Sequence, residues 1–245
     1  MDLPATRHSV LAAVRSDDAA VRRGGFESLV AVYWKPVYKY LRVKWRLSSD
    51  EAADATQEFF ARAIEKHFFD GYDSTKARFR TFLRVCLDRF VTNERKAAGR
   101  LKRGGRETIV SLDFETAEGE LRRHEAAVAP DVEDYFHHEW VRSLLALAVD
   151  DVRAEYEHAG KAAHFKVFER YDLDDLDDVH RSSGAAPTYA SIASELGLSV
   201  FDVTNYLAAA RRAFRRRLLE RLRAICGGSA EFEAEARQLL RGGLR

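Results

Sequence analysis

Proline and glycine are scarce in this chain of 245 residues, at 4 and 14. So few breakers leave room for long helices. Runs rich in Val, Ile and Thr, the raw material of strands, are almost absent. The expected fold class is therefore all-α. Cysteine is scarcer still. Cys86 and Cys226 both sit in helical contexts without metal-ligand spacing, which excludes a disulfide framework and points to a reducing compartment. No apolar run reaches the roughly 18 residues that a bilayer span needs. The opening residues MDLPATRHSV hold no apolar signal core. A cytoplasmic chain without a membrane segment is expected.

Catalytic signatures are missing as well. The adjacent pair His137 and His138 would point its rings apart on a helix, and no HExxH occurs. Glu155 and His158 have the Glu-x-x-His spacing, but a di-iron bundle needs such contributions from several helices. The glycines of RGGR at Arg103 to Arg106 lack the strand and Lys-Ser context of a phosphate loop. No catalytic residue, metal ligand or cofactor is assigned, and an enzyme is not expected.

What is present is charge, at 32% of the residues, beside 46% hydrophobic residues that can build a core. The length suits one large domain or two small ones. The net charge of +1 hides an uneven distribution. Lys76 to Arg106 carries 11 basic residues against 2 acids, and Arg181 to Ile225 carries 8 arginines against 3 acids. Between them, Glu107 to Asp178 carries 20 acids against 7 basic residues. Two basic blocks around an acidic middle suggest two polyanion-binding surfaces and a joining segment that is not one. The plainer alternative is a set of solvated helix faces.

Periodicity and punctuation give the order of elements. A first helix is expected from near Thr6 and a second over Arg23–Trp45, which Pro36 could bend. A third starts at a Ser48 or Ser49 cap and runs to about His67. FFDGYDSTKAR reads as a turn, and a long basic helix follows from about Ser74 to Arg100. Arg106 to Pro130 reads as a linker of marginal structure with a cap at Ser111 or Asp113. Val132 to about Tyr171 is helical, DLDDLDDVHRSSGAAP is a loop, and Tyr189–Leu196, Ser199–Ile225 and Glu231–Leu240 complete the helices. The organisation expected is two helical domains, 1–105 and 132–245, joined by an acidic linker region, 106–131.

The sharpest local signal is TYASIASELGLSVFDVTNYLAAARRAFRRRL. Ser199 and Asp202 form a capping box, and Leu198 with Val203 suits a hydrophobic staple. Gly197 lies in the short turn. That is the anatomy of a helix-turn-helix, near residues 188–217. Val203, Leu207, Ala210 and Phe214 face the core. Ser199, Asp202, Asn205, Tyr206 and Ala209 lie at the end that would enter a major groove, with Asn205 suited to adenine. Arg211, Arg212, Arg215 and Arg216 come later on the helix and suit phosphates. An ordinary helical hairpin with a wet basic face is the plain alternative.

Two more stretches stand out. On the helix that holds ADATQEFFARAIEKHFF (Ala53–Phe69), Glu51 just before the stretch falls in one narrow arc with Asp54, Glu58 and Glu65, while Phe59, Phe60, Ala63, Ile64 and His67 take the opposite face. The acidic arc reads as a docking face for a basic partner. In KARFRTFLRVCLDRFVTNERKAAGRLKR, aromatics interleave with cations, a pattern suited to single-stranded nucleic acid, although helical spacing favours core packing for at least two of Phe79, Phe82 and Phe90.

Together, FESLVAVYWKPVYKYLRVKW, SSDEAADATQEFFARAIEKHFF, the basic stretch just quoted and APTYASIASELGLSVFDVTNYLAAARRAFRRRL resemble the bacterial extracytoplasmic-function RNA polymerase sigma factors, the two-domain branch of the sigma-70 family. The resemblance covers about two-thirds of the chain. It implies a first domain (1–105) that docks on core polymerase and opens the promoter −10 element, and a second that reads the −35 element. Asp54, Gln57, Glu58 and Phe60 then match the polymerase-binding helix. Phe79, Arg80, Phe82 and Leu83 match a run that usually has tryptophan in place of Phe82. On that reading Tyr72, Arg78, Arg80, Phe82, Arg84, Arg95 and Lys96 serve the −10 element, and Ser199, Asp202, Asn205, Tyr206, Ala209, Arg212 and Arg216 the −35 element. The implied partners are promoter DNA and the clamp and flap regions of core polymerase, with an anti-sigma factor or a Ser/Thr kinase as further candidates. Thr56 is the candidate phosphorylation site, although the helical wheel turns it toward the apolar side. The alternative is a stand-alone helix-turn-helix regulator that binds duplex DNA without polymerase.

Overall fold

The computed structural model describes residues 10–97, 112–124, 131–173 and 187–242. All regular elements among them are helical. They are α1 (Val10–Val14), α2 (Ala19–Lys44), α3 (Ser49–Glu65), α4 (Phe79–Ala97), α5 (Phe114–His124), α6 (Val132–His158), α7 (Ala162–Phe168), α8 (Tyr189–Leu196), α9 (Val200–Ile225) and α10 (Ser229–Gly242), with a 3-10 turn at Phe68–Gly71 and a π turn at Glu169–Leu173. The expected starts and ends near Thr6, Arg100 and Ser111, the Gly104-Gly105 stop and most of the acidic loop after Asp172 lie outside the described residues. No described helix is long and apolar enough to cross a membrane.

The chain divides into two compact units, and the boundaries differ from the expected 1–105 and 132–245. Unit 1 comprises Met1–Leu144 and Leu222–Arg245, and unit 2 comprises Leu145–Arg221. The divisions fall inside α6 and α9, so the final helix α10 belongs with the N-terminal residues.

Unit 1 is organised around α2. Asp18 caps it by accepting from the Ala20 and Val21 amides at 2.8 and 3.1 Å. Helix α2 passes through Pro36 without ending there. Its buried residues include Leu29, Val32, Tyr33, Val37, Tyr38, Tyr40 and Leu41, which lie around most of its circumference. Such a helix has to be covered on several sides. Helix α3 covers one with Phe59, Phe60 and Ala63. Its cap is Ser48, in a full capping box with Glu51, worth about 1 kcal/mol. The 3-10 turn after α3 is fastened by Arg15, which donates to the carbonyls of Phe69 and Tyr72 at 2.7 Å each.

Residues 114–124 correct the linker expectation. They form the helix α5, packed on α2, and charge explains why. Glu118 accepts from the Tyr38 hydroxyl at 2.7 Å and from Arg42 at 2.6 and 2.9 Å. Glu120 pairs with Lys35 and Lys39 at 2.6 and 2.7 Å. Lys39 also meets Glu139 of α6 at 2.6 Å, and both side chains are almost fully buried. Phe114 sits against Trp34 and Tyr38, with centroids 5.5 and 5.2 Å away. The acids that made the stretch look solvated are its anchors, and Asp113 is the cap, accepting from the Thr116 amide.

Unit 2 packs the second part of α6, α7, α8 and most of α9 around Val152, Phe165, Phe168, Ile192, Val203, Leu207, Phe214 and Leu218. The Phe168 and Phe214 rings lie 5.6 Å apart. Gly160, at φ 67°, turns the chain between α6 and α7. Gly197, at φ 65°, ends α8 in the left-handed conformation that glycine takes without steric cost. Leu198 and Ser199 then lead into α9. Ser199 and Asp202 make the expected capping box.

A pH-linked stability follows from Glu118. The Arg42 guanidinium, with help from Tyr38, holds its carboxyl down to about 2 although burial opposes this. A depressed carboxylate contributes its stability fully above the unfolded value of 4.5 and loses it as pH falls toward the folded value. Urea unfolding should show Glu118→Gln less stable than the parent by a constant gap at pH 5 to 7. Below about 4.5 that gap should shrink. A gap independent of pH would contradict this role for the pair.

Candidate nucleic-acid interface

Helix α3 presents the expected docking residues unevenly. Asp54 and Gln57 are exposed, whereas Glu58 is half-buried and paired with Arg62. Arg62 also pairs with Glu94 of α4 and lies over the Phe90 ring. Glu51 serves the cap. The acidic arc is therefore narrower than the wheel implied. Phe60 is core. Thr56 is 0% exposed, and its hydroxyl donates to the Ala52 carbonyl at 2.7 Å. The phosphorylation expectation fails on this geometry, because a kinase needs a hydroxyl in solvent.

The basic helix α4 settles which aromatic is which. Phe79 and Phe90 are core, and Phe82 is the half-buried one, 5.4 Å from the Tyr72 ring. The cations differ more from expectation. Helix α10 lies over the start of α4. Glu231 accepts from the Phe79 amide at 2.8 Å, the Tyr72 hydroxyl at 3.0 Å and the Gly227 amide at 2.7 Å. Glu235, 1% exposed, pairs with Arg80 and with Arg78 at 3.1 Å. Gln238 lies 3.3 Å from Arg78 and 3.0 Å from His137. Arg80 also stacks over Trp140 at 5.1 Å. Burial and then the neighbouring Arg78 bring the Arg80 guanidinium down to about 10. Burial and then Arg80 bring His137 down to about 4, so its ring is neutral near pH 7.

Tyr72 and Arg80 are thus corrected from solvent-facing to covered, and Arg78 is engaged although its side chain stays 40% exposed. Arg84 is turned inward, 3.0 Å from Glu133 and 3.7 Å from Asp88. Arg95 is exposed but lies over the Trp45 ring at 4.7 Å. Lys96 is exposed. A cleft of about 240 Å³ opens beside these groups, lined by Arg80, Arg84, Glu133, Phe136, His137 and Gln238 among others. The sequence assigns no role to Glu231, Glu235 or Gln238, and His137 is weighed there only as a catalytic or metal candidate. Their signal was present, since positions 231, 235 and 238 share one helix face.

In unit 2, α9 separates into compensated and open arginines. Arg211 forms a double hydrogen bond to Asp172, at 2.7 and 2.8 Å. Arg216 and Arg217 both reach Glu155, and Arg221 reaches Asp151 at 2.6 Å. Although burial pushes Glu155 up, those two guanidiniums hold it below the usual carboxylate range. Arg216, expected to meet phosphate, is already paired with Glu155, although its side chain is 49% exposed. Tyr206 stacks on His164 at 3.8 Å, and Asp202 is spent on its capping box with Ser199. Ala209 is half-buried. What remains open is a stripe of Phe201, Asn205, Ala208, Arg212 and Arg215, spaced for one helix face. Phe201 is 74% exposed and Val200 beside it 49%. The sequence reading passed over both.

Among the described residues, no group of three or more His, Cys, Asp or Glu could hold a metal ion. Cys86 and Cys226 are free thiols, and burial, then Glu231, push the Cys226 thiol up to about 12. No family model matches the chain, and no match is found among curated proteins or solved structures.

Placing a charge at position 56 should unfold unit 1 locally. Thr56→Glu would bury a carboxylate in an apolar site, with an expected loss of about 3 kcal/mol or more in chemical denaturation. Thr56→Val should stay within about 1 kcal/mol of the parent. Equal stabilities for Thr56→Glu and the parent would show that the site is open after all.

Proposed function

We propose that this protein is a transcription initiation factor of the sigma type, acting in the cytoplasm with core RNA polymerase. The observation that carries the reading is the α8–α9 pair. Two helices meet through a glycine turn, and the second presents an open stripe whose leading part is Phe201 and Asn205 and whose trailing part is Arg212 and Arg215. That order suits a recognition helix, with base-edge groups first and phosphate groups later. Phe201 adds an apolar group suited to a thymine methyl. In this role α8–α9 is a helix-turn-helix for the −35 element. The exposed Asp54 and Gln57 of α3 dock on polymerase, and α4 serves the −10 element. The resemblance of the quoted motifs to the extracytoplasmic-function sigma factors supplies the division of labour.

Run-off transcription with core polymerase on a promoter library tests this. Promoter-directed transcripts are expected, together with co-purification of the protein with core enzyme. Asn205→Ala should cost about 1–3 kcal/mol of promoter affinity at one base position. Arg212→Ala should weaken all promoters alike and lower the salt slope by about 1. Absence of both transcript and co-purification would remove the reading. A palindromic footprint made by the protein alone would replace it with a stand-alone regulator.

A further inference from the structure

The start of α4 is an anion site that already holds anions. The Phe79 amide is a helix N-terminal donor with no partner inside its own helix, and Tyr72 and the two arginines converge beside it. Helix α10 fills that site with two carboxylates one turn apart. The fit depends on Gly227, where a Cβ would stand 2.7 Å from the Tyr72 ring, 2.8 Å from its hydroxyl and 2.9 Å from the Ser74 Cβ. Tyr72 cannot easily retreat, since its ring lies against Phe79 and Phe82 and its carbonyl accepts from Arg15. The cover is not fully satisfied, because Glu235 keeps one buried carboxylate oxygen without a hydrogen-bond partner. The site itself pairs cations with a half-buried aromatic, Phe82, which is the chemistry of single-stranded nucleic acid.

We infer that α10 is a removable cover, in which Glu231 and Glu235 occupy the positions of two backbone phosphates and keep Tyr72, Arg78 and Arg80 from single-stranded nucleic acid until it is displaced. This rests on the sigma-type reading for its biological setting, but not for its chemistry. The oligonucleotide must trade phosphates for carboxylates at the same donors. Binding and cover are therefore mutually exclusive.

The test uses the full chain and a fluorescein-labelled dT20 oligonucleotide, read by anisotropy. Gly227→Ala changes no charge and should loosen the cover. The double variant Glu231→Gln, Glu235→Gln should loosen it by removing the anions. Each should tighten dT20 binding on the order of tenfold and steepen the salt slope by about 1.4, the value for two added single-strand phosphate contacts. Adding Arg78→Ala to Gly227→Ala should take back most of the gain, whereas Arg78→Ala alone should change little. Glu233→Gln, an exposed neighbour on α10, controls for charge. In the unaltered chain, saturating dT20 should speed amide exchange along residues 229–242. Unchanged or slower exchange there overturns the inference whatever the variants do, as does a gain that survives Arg78→Ala. Promoter-directed transcription that ignores all these variants would leave the sigma reading standing and remove the cover. Variant-sensitive dT20 binding without any transcription would do the reverse.

Discussion

Lys39 is 1% exposed, with its ammonium 2.6 Å from Glu139 and 2.7 Å from Glu120. An ammonium so far withdrawn from water costs several kcal/mol unless carboxylates meet it. Helix α2 can therefore bury its aromatic and aliphatic circumference only if other helices bring acids to its cations. Helices α5 and α6 do so, and their acids settle where those helices lie. The requirement also reaches Arg42, answered by Glu118, and Lys44, answered by Asp88 of α4 at 2.8 Å. Unit 2 matches charges as well, where Asp151, Glu155 and Asp172 meet four arginines of α9, but these arginines stay partly in water and their pairs stabilise much less.

That constraint explains what the sequence made legible and what it did not. Helix caps are readable where the device is local, as with Ser199 and Asp202, whereas the choice between Ser48 and Ser49 for α3 comes from the structure, which pairs Ser48 with Glu51. The core face of α9 was readable for the same reason, since Val203, Leu207, Ala210 and Phe214 are all buried at the spacing that periodicity demands. Acidic stretches were not. A carboxylate in solvent and a carboxylate on a buried lysine look identical in one dimension. Glu118 and Glu120 were read as parts of a linker, yet they hold α5 in place. Thr56 lies between these cases. The wheel turned it inward, and its hydroxyl is satisfied within its own helix, so a threonine there needs no other role.

The candidate surfaces followed the same division. Asn205 and Arg212 were placed outward by periodicity and remain open. Arg216 shares a face with open residues but finds Glu155, a partner 61 positions away that no local pattern could supply. Phe201 was overlooked for the opposite reason. An aromatic in the first turn of an amphipathic helix is ordinarily assigned to the core, and only the fold shows that its partner side is empty. The two basic blocks therefore overstated the polyanion surface. Among the described residues much of their charge is spent internally, while Arg212 and Arg215 of α9 and Lys96 of α4 stay exposed.

Ionic strength sharpens the logic of the covered site on α4. Its ion pair with Glu235 is buried, so salt screens it little. A nucleic-acid strand competing for the same arginines loses affinity steeply as salt rises, because its own counterions must be released. The cover also acts from within the chain, at an effective concentration that dilution cannot lower. Salt and dilution thus both favour the closed arrangement, and opening needs a high local concentration of strand. A site covered by its own carboxylates is consequently quiet toward dilute single strands and opens only where the strand is concentrated enough to outcompete them.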